Sequence, residues 1–454
     1  MRLFADMSAP QTAVPGRTLV FYDDARTRTF EPFALSRPLC EMRVGALLMR
    51  ERWEHALRAK AVSFVGAPQL AHFTEADAPV FEDALIPAGT VLVNSRAAIA
   101  LAGGALAHVR REDQTAPPIG RTWYVNGTLA AVQLRAALDS AVLRDGTVTL
   151  EQIAELDLAG DTASASARQL EASAQDLKDA RVDVDGVWLA DVWDIVRHLS
   201  PLLSKDIPVL AAGLKCSATT SGTDPIRHVL VTGDHPVYSE EGATIEPYTV
   251  FDTTLGPVML RKGAWVQAFT RVIGPCYIGA NSTVMGDRIS GSSIGDTCRV
   301  HGELSATVFV GHSNKGHDGF VGHSIVGRWV NMGAGTITSN LKNTYGTVAM
   351  WTPDGVRDTG LQFLGTLFGD HVKTGIGLKL TTGCVLGTAA NVFDRMPPKV
   401  VEPFAWGTGA PYDSYSIDKF VETAERMMNR RHVTLDDEGR AFLRDVHAAR
   451  WKTS

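Results

Sequence analysis

The chain has 454 residues, of which 45% are hydrophobic and 21% are charged, and its formal net charge is −6. This length and composition are typical of a globular protein with two domains. The mildly acidic balance excludes bulk binding to nucleic acids or anionic membranes, which attract basic surfaces. No run of about 18 apolar residues occurs, so we expect no membrane span.

The five cysteines are scattered, and their number is odd. They show no C-x-x-C spacing, a pattern more typical of a reducing cytoplasm than of a disulfide scaffold. Residues 1–17 lack the continuous apolar core of a signal peptide, and we interpret them as a loose leader. A cytoplasmic location is therefore expected.

The first half of the chain alternates short apolar runs with stretches of helical spacing. Strands are predicted over Thr18–Tyr22, Ala61–Val65, Thr90–Asn94 and Trp123–Leu129, and helices over Arg43–Ala59, Ala130–Leu143 and Val187–Leu203. This alternation favours an α/β domain with a largely parallel sheet. We assign it to residues 18–203, including the connecting helix, and assign a linker to residues 204–236.

A six-residue period follows from about residue 237. Apolar residues recur at Val266, Val272, Ile278 and Val284, and glycine often comes directly after them. A step of six fits neither an α-helix nor a single strand. It is typical of hexapeptide repeats, in which three units build one triangular coil. We therefore predict a left-handed parallel β-helix over residues 237–410; a β-sandwich with glycine-rich turns is the alternative.

The repeat is interrupted over Leu304–Val321 and Asn340–Thr359, and insertions in solenoids often carry the functional site. Residues 411–454 read as a helical tail, with amphipathic helices over Ser416–Met428 and Asp436–Arg450. We expect this tail to pack on the base of the solenoid or on a neighbouring subunit.

The segment Gly311–Gly346 concentrates the chemistry, because it holds three histidines, His312, His317 and His323, among many glycines. Acyl transfer to an amine needs a base near neutral pH, and histidine is the usual choice. Glycine-rich turns expose backbone N–H groups that stabilise an oxyanion, and residues 331–336 fit that role. We expect His317 to be the base and the other two histidines to be structural.

The sequence strings around these residues resemble a known family. They are DDAR at 23–26, RPLCEMRVG at 37–45, SNKGHDG at 313–319, VNMGAGTITSN at 330–340 and NLKNTYG at 340–346. The β-helix part resembles the acetyltransferase half of the bacterial bifunctional N-acetylglucosamine-1-phosphate uridylyltransferase/glucosamine-1-phosphate acetyltransferase. The whole chain is similar to a variant bacterial family described as sugar nucleotidyltransferases. The resemblance implies a nucleotidyltransferase-like, Rossmann-like N-terminal domain and a C-terminal acyltransferase β-helix.

Carried over by position, the resemblance makes His317 the general base and gives Asn331 and Asn340 sugar contacts. Ser305 stands where a phosphate-binding lysine is expected, and Phe320 stands where a substrate-contacting tyrosine is expected. The remaining predicted substrate-binding residues are Lys315, Lys342 and Tyr345, of which either lysine is a candidate to restore a cation to the phosphate.

The N-terminal domain needs cations for phosphates and carboxylates for Mg²⁺. The usual glycine-rich loop is missing after Tyr22, so arginine side chains are expected to supply the charge. The candidates for nucleotide and phosphate binding are Arg26, Arg28, Arg37, Arg43, Asn94 and Asn126, and the candidates for Mg²⁺ are Asp23 and Asp24. The alternative is that the arginines pair with acidic residues on a solvated face.

A zinc site is a competing interpretation, because the five-residue spacing of His312 and His317 also occurs in β-helix carbonic anhydrases. Such a site needs a further histidine two coils upstream, and residues 275–283 contain none.

The favoured function is a sugar-phosphate nucleotidyltransferase, an acetyl-CoA-dependent aminosugar-phosphate N-acyltransferase, or both, making a UDP-N-acetylglucosamine-like sugar for envelope synthesis. The expected ligands are a sugar phosphate, a nucleoside triphosphate, acetyl-CoA as donor and Mg²⁺, and the resemblance implies a homotrimer. One alternative keeps a single activity with the other domain degenerate. Another is a non-catalytic scaffold that binds sugar nucleotides.

Overall fold

The computed structural model describes residues 18–75, 77–101, 121–162, 181–224 and 228–452. The predicted leader, residues 1–17, lies outside them. The chain forms two compact units. The first contains residues up to 28, 37–42 and 47–190, and the second contains residues 29–36, 43–46 and 191–454.

A seven-stranded sheet forms the centre of the first unit. Its strands are Thr18–Tyr22 (β1), Lys60–Val65 (β2), Val80–Phe81 (β3), Val91–Asn94 (β4), Thr122–Val125 (β5), Thr128–Gln133 (β6) and Arg181–Val184 (β7). The spatial order is β7-β5-β6-β4-β1-β2-β3. Strand β1 runs parallel to β2 and β4, whereas β6 is antiparallel to both of its neighbours. The sheet is therefore mixed, with a parallel half that ends beside Tyr22 and Asn94.

Helices Met49–Leu57 (α1) and Leu150–Thr162 (α2) belong to this unit. Two small antiparallel pairs join Leu85–Ile86 to Leu138–Asp139 and Ala97–Ile99 to Gly186–Trp188. Short strands lie at Arg43–Val44 and Leu47–Leu48, and 3₁₀ turns lie at Thr27–Thr29, Leu39–Glu41, Pro68–Leu70 and Ser140–Leu143. The apolar core beneath the sheet includes Val20, Leu92, Leu129, Val132 and Ile153.

The sequence predicted three of the first unit's strands closely, and two predictions there were wrong. Trp123–Leu129 is a hairpin of β5 and β6 rather than one strand. The α-helix predicted over Ala130–Leu143 is absent from this part of the described chain, since residues 130–133 continue β6 and the short strand Leu138–Asp139 and the 3₁₀ turn Ser140–Leu143 follow. Residues 129–132 are buried without the alternation that marks a half-exposed strand. Continuous burial of this kind gives a strand an apolar run that resembles a buried helix.

The second unit is a parallel β-helix with three faces, as predicted. Its first face contains Cys216–Thr219, Val237–Glu240, Val258–Leu260, Cys276–Ile278, Ser293–Asp296, Val308–Gly311, Ile325–Arg328, Thr366–Phe368, Cys384–Leu386 and Val400–Val401. The second face contains Thr244–Ile245, Trp265–Val266, Thr283–Val284, Arg299–Val300, Asn314–Lys315, Asn331–Met332, Lys373–Thr374, Asn391–Val392, Ala405–Gly407 and Asp413–Ser414. The third face contains Gly222–Asp224, Val229–Thr232, Val250–Asp252, Thr270–Ile273, Asp287–Ser290, Glu303–Ser305 and Phe320–Gly322, and a further pair, Ile337–Thr338 with Lys379–Leu380, follows.

The coil register explains the six-residue period. Val258 pairs with Cys276, and Thr366 pairs with Cys384, which is the spacing of three hexapeptides. The inward row of the second face runs through Val266, Val284 and Val300 and is fully buried. Repetition of such a row lets each coil bury its apolar side chains on its neighbours.

One of the two predicted interruptions is real. An insertion interrupts the coils over residues 340–364, where Ala349–Thr352 and Gly355–Asp358 form an antiparallel hairpin. The interruption predicted over Leu304–Val321 is wrong, because those residues keep coil register and bulge only at a short loop between Lys315 and Phe320. The predicted linker over 204–236 also differs. It contains most of the helix Leu199–Gly213 (α3), and the antiparallel strand Cys216–Thr219 follows before the coils begin.

The helical tail is confirmed as Ile417–Asn429 (α4) and Asp437–Ala448 (α5), and a helical turn at Asp194–Arg197 precedes α3. Phe420 of α4 lies 5.5 Å from the ring of His371 and 5.1 Å from that of Phe404. The tail therefore packs on the coils of its own chain. Among the described residues, no helix combines the length and apolarity that crossing a membrane requires.

Candidate functional site

His317 projects from the short loop between the second and third faces, and its side chain is exposed. Gly319, which ends the loop, has a φ of +126°. A Cβ atom at Gly319 would come within 2.2 Å of the carbonyl oxygen of Thr336, so this turn requires glycine. The loop is thereby held close against the next coil.

Lys315 fixes the loop from the inside. It pairs with Val300 in the inward row and is only 2% exposed. Its Nζ donates hydrogen bonds to the carbonyl oxygens of His301 (2.7 Å) and His317 (2.8 Å). Burial lowers the pKa of Lys315 to about 8, although Asp318 and Asp287 oppose this shift. The structure therefore corrects the prediction that Lys315 binds substrate, and it makes this lysine a positioning residue for His317.

Two clefts meet at His317. The first, of about 960 Å³, is lined by His301, Asp318, Ala334, Gly335, Ile376, Gly377, Phe393 and Arg395 besides the His317 loop. Ile376 is 82% exposed, so this cleft presents an apolar surface to a ligand. The second, of about 440 Å³, is lined by polar and cationic side chains that include Arg299, Asn331, Arg430 and Arg431. His317 is thus placed where two ligands of different chemistry could meet.

A histidine and two carboxylates lie together in the coils beside His317. One ligand atom each of Asp287, His301 and Asp318 lies within 4.8 Å of the others, and the described residues contain no second group of this kind. Asp318 Oδ1 lies 3.2 Å from His301 Nδ1. Asp287 and Asp318 are exposed, so solvent reaches this group.

The zinc interpretation disagrees with the surroundings of His312. Its Nδ1 lies 2.8 Å from Nη2 of Arg328, and its ring lies 4.5 Å from that of Trp329. A guanidinium at that distance repels a metal cation. His312 therefore does not suit a zinc site, although it lines the second cleft, and its predicted structural role stays a prediction.

The two predicted sugar-contacting asparagines lie apart in the described chain. Asn331 lines the second cleft, and its Oδ1 accepts a hydrogen bond from Asn314 (2.9 Å). Asn340 pairs instead with Nδ1 of His323 (2.9 Å), whose pKa is lowered by burial. The structure brings together His317 and Asn331 but does not place Asn340 in either cleft.

Lys342 and Tyr345 belong to the insertion. Nζ of Lys342 donates a hydrogen bond to the carbonyl oxygen of Thr347 (2.9 Å). Tyr345 is 69% exposed and has a φ of +57°. Neither residue lines the clefts at His317, so their predicted substrate contacts stay predictions.

A second polar group lies at the ends of β1 and β4 in the first unit. Oδ2 of Asp24 accepts hydrogen bonds from Asn94 (2.9 Å) and from Nη2 of Arg96 (2.6 Å). Its Oδ1 accepts from the backbone and hydroxyl of Thr27. Burial is the largest single effect and raises the pKa of Asp24, but the ion pair with Arg96 and the hydrogen bonds from Arg96, Asn94 and Thr27 together hold this pKa below its usual value. Arg96 also lies 4.8 Å from the ring of Trp188.

The predicted Mg²⁺ ligands do not fit a metal in this arrangement. Both oxygens of Asp24 are already bound to protein donors. Asp23 is buried, which raises its pKa to about 6, and its Oδ2 accepts a hydrogen bond from the Leu39 amide. A Mg²⁺ site prefers exposed, ionised carboxylates that leave room for water. Both aspartates are therefore used in contacts within the protein.

The four predicted phosphate-binding arginines make contacts within the protein. Arg28 donates to the carbonyl oxygens of Asp23 and Arg144, and Arg26 donates to that of Ala190. Arg37 forms a two-armed ion pair with Glu75 at 2.8 and 2.7 Å.

Arg43 donates to the carbonyl oxygen of Ala46 and lies over the ring of Tyr277. Arg37 pairs with an acidic residue, as the alternative predicts, but Arg37 and Arg43 are buried rather than on a solvated face. Asn126 occupies the turn of the β5–β6 hairpin with a φ of +50°.

Sequence reasoning missed Arg96, Arg299, Arg430 and Arg431. Arg96 lies just after Asn94, at the carboxyl end of a parallel strand. Ligands bind at such strand ends, so this position could have been recognised from the sequence. The other three arginines are brought together only by the coil register and the C-terminal tail.

Comparisons with known proteins agree with this architecture. Residues 19–215 match the model of a family described as sugar nucleotidyl transferase. The chain is 27% identical over 210 residues to the bifunctional protein GlmU of Methanococcus vannielii, covering 46% of this chain and 43% of the relative. It is 26% identical over 240 residues to the GlmU of Cyanothece, covering 44% and 48%.

A bifunctional sugar-1-phosphate nucleotidylyltransferase/acetyltransferase of Sulfurisphaera tokodaii is 31% identical over 91 residues, covering 20% of this chain and 23% of the relative. The matched regions span less than half the length of each of these relatives.

The fold and these matches show what the chain is similar to. Residues 19–215 are similar to the sugar nucleotidyl transferase family, and a parallel β-helix follows in the same chain. The resemblance predicted from the sequence motifs is thereby confirmed: the chain is similar to the bifunctional GlmU proteins.

Proposed function

We propose that the β-helix transfers an acyl group from an acyl-CoA, with acetyl-CoA as the expected donor, to the amine of an aminosugar phosphate. The observation that carries this proposal is the exposed ring of His317, held by the buried Lys315 between an apolar and a cationic cleft. An apolar cleft suits the pantetheine arm of a thioester, and a cationic cleft suits a phosphorylated acceptor.

In the proposed step, the amine of the acceptor attacks the thioester carbonyl while the His317 imidazole takes its proton. A C–N bond forms, the C–S bond breaks, and the thiolate of CoA leaves with a proton returned by the same ring. Ala334 lines the first cleft, and its backbone N–H donates to no other group in this part of the described chain. That N–H is positioned to stabilise the oxyanion of the tetrahedral intermediate.

For the N-terminal domain we propose nucleotidyl transfer between a nucleoside triphosphate and a sugar 1-phosphate, as its family description suggests. The product of both steps would be a UDP-N-acetylhexosamine-like sugar made in the cytoplasm. The saturated contacts of Asp24 and Arg96 favour a second candidate, in which only acyl transfer survives.

We also propose a homotrimer. Exposed rings of Tyr248 and Phe269 stack on successive coils 5.6 Å apart and offer an apolar strip to a neighbouring subunit.

Two products measured in one substrate panel test these proposals. Purified protein is incubated with sugar 1-phosphates and nucleoside triphosphates for release of pyrophosphate, and with aminosugar phosphates and acetyl-CoA for release of CoA. We expect CoA release that falls at least about 100-fold in His317→Ala, the contribution typical of a general base. His323→Ala is the matched control. Absence of CoA release contradicts the acyltransferase proposal, whereas unchanged CoA release in His317→Ala removes the assignment of His317 as the base.

A further inference from the structure

Three arginines converge on the second cleft from distant parts of the chain. Arg299 comes from the second face of the solenoid, and Arg430 and Arg431 follow the end of α4. They share the cleft with Asn314 and Asn331, which supply amide groups. The cleft therefore combines positive charge with neutral hydrogen-bond donors beside the His317 loop.

These arginines differ from the other arginines of the tail. Arg426 pairs with Glu422 (3.1 Å), Arg440 with Glu425 (2.8 Å) and Arg444 with Asp418 (2.8 Å). For Arg299, Arg430 and Arg431, by contrast, the described chain provides no acidic partner.

The environment of Arg431 shows that the cluster is uncompensated. Burial lowers the pKa of Arg431, and the neighbouring positive charges of Arg299 and Arg430 lower it further. Like charges held together in a partly buried cleft repel one another, and a bound anion relieves that repulsion. Guanidinium groups bind phosphate oxygens through paired hydrogen bonds, which a lone surface lysine cannot reproduce.

The two lysines expected to hold a substrate phosphate are engaged elsewhere. Lys315 is buried and bound to two carbonyl oxygens, and Lys342 is bound to the carbonyl oxygen of Thr347. The cluster formed by Arg299, Arg430 and Arg431 supplies cations in the second cleft, which His317 also lines.

We propose that the cluster of Arg299, Arg430 and Arg431 is the binding site for a phosphomonoester carried by one of the two substrates of the acyl transfer. This inference rests on the proposed function for the identity of those substrates. A phosphomonoester occurs both in an aminosugar 1-phosphate and at the 3′ position of CoA, so the shared chemistry leaves two sources. The volume of about 440 Å³ lies in the range of small-molecule sites and accommodates either group with its attached ring.

Direct binding tests the proposal without relying on turnover. Isothermal titration calorimetry is performed with glucosamine 1-phosphate and with adenosine 3′,5′-bisphosphate, each compared with its dephosphorylated form. The variants are Arg299→Gln, Arg430→Gln and the triple replacement with Arg431→Gln. Arg444→Gln is the control, because it removes one charge from the tail but leaves the cleft intact.

We expect the wild-type protein to bind one of the phosphorylated probes at least tenfold more tightly than its dephosphorylated form. The triple variant should lose that difference, each single variant should lose part of it, and the control should keep it. The probe that responds identifies the substrate. If neither probe shows a phosphate-dependent difference, or if the triple variant retains it, the inference is overturned.

Thermal unfolding establishes that each variant is folded, and the exposed Arg299→Gln and Arg430→Gln variants still decide the outcome if the triple variant does not fold. Phosphate-dependent binding together with no CoA release would refute the acyl transfer while leaving this site intact. CoA release together with unchanged probe binding in the variants would refute this binding site while leaving the acyl transfer intact.

Discussion

The end of the parallel strands in the first unit and the His317 loop in the second contrast in how their charged groups are used. At the strand ends, Asp24, Asn94 and Arg96 satisfy one another, and Arg37 is bound to Glu75. At the loop, His317 is exposed, and three arginines gather without acidic partners in the described chain. The charged groups at the strand ends bind one another, whereas those at the His317 loop are available to a ligand.

This difference teaches that charged motifs need not mark a binding site. The strings DDAR and RPLCEMRVG look like phosphate-binding elements, yet their residues hold turns and strands together through long-range contacts. Glu41 pairs with Arg50, Arg43 covers Tyr277, and the carbonyl oxygen of Gly45 accepts a hydrogen bond from Ser293. In the described chain these residues contact other parts of the protein.

The largest expected effect is on stability at the strand ends. Asp24→Asn removes a charge that two groups of Arg96 approach and leaves that guanidinium partly buried without its partner. Breaking a buried ion pair from one side typically costs about 3 kcal/mol. We expect the free energy of unfolding in urea to fall by about that amount at pH 7. The loss should shrink as the pH falls through the pKa of Asp24, because the wild-type carboxylate is then protonated.

If Asp24→Asn leaves stability unchanged but impairs nucleotide binding, the contrast between the strand ends and the His317 loop is wrong, because Asp24 would then contact a ligand. Asp139→Asn, at an exposed N-cap, serves as the control for loss of one negative charge.

A smaller effect is expected at the loop. Lys315→Met keeps an unbranched side chain in the inward row but removes the donors to the carbonyl oxygens of His301 and His317. Displacing a catalytic base by about 1 Å costs up to about a hundredfold in rate, and we expect kcat for CoA release to fall about tenfold. KM should change little, since Lys315 lines neither cleft. A normal kcat would show that the loop holds its position without this lysine.

The smallest effect should have the opposite sign. Asp23 has a pKa raised to about 6 by burial, so between about pH 4 and pH 6 the folded state holds a proton that the unfolded state releases. Wild-type stability therefore falls as the pH rises through that window, and the penalty is complete above it. Asp23→Asn should remove the penalty and raise stability by about 1 kcal/mol at pH 7, with little gain at pH 4. Unfolding curves of Asp23→Asn at both pH values, compared with those of Asp24→Asn, decide whether the two aspartates have opposite effects on stability.

Repetition made the solenoid the more predictable region. An inward apolar row with glycine corners repeats over many coils, and local deviations do not hide the period. The strands β1, β2 and β4 were also predictable as short apolar runs. The β5–β6 hairpin was not, because residues 129–132 of β6 are continuously buried.

The site residues were harder to predict because their roles depend on distant partners. Arg96 meets Asp24, and Arg37 meets Glu75, only after the sheet has formed. Lys315 was predicted to bind substrate, and its place in the inward row was missed because the six-residue count fails there: it pairs with Val300, which is fifteen positions earlier rather than eighteen. His317 was found because its glycine-rich surroundings and motif are local.

The packing of α4 on His371 and Phe404 has a consequence for how the molecule comes apart. A solenoid unravels coil by coil from an unprotected end, and a helix packed on its coils delays that fraying. Arg430 and Arg431 lie directly after α4, so detachment of this helix also disperses the arginine cluster. A ligand bound by those arginines would therefore stabilise α4 in its packed position, and its presence should slow proteolysis of the C-terminal tail.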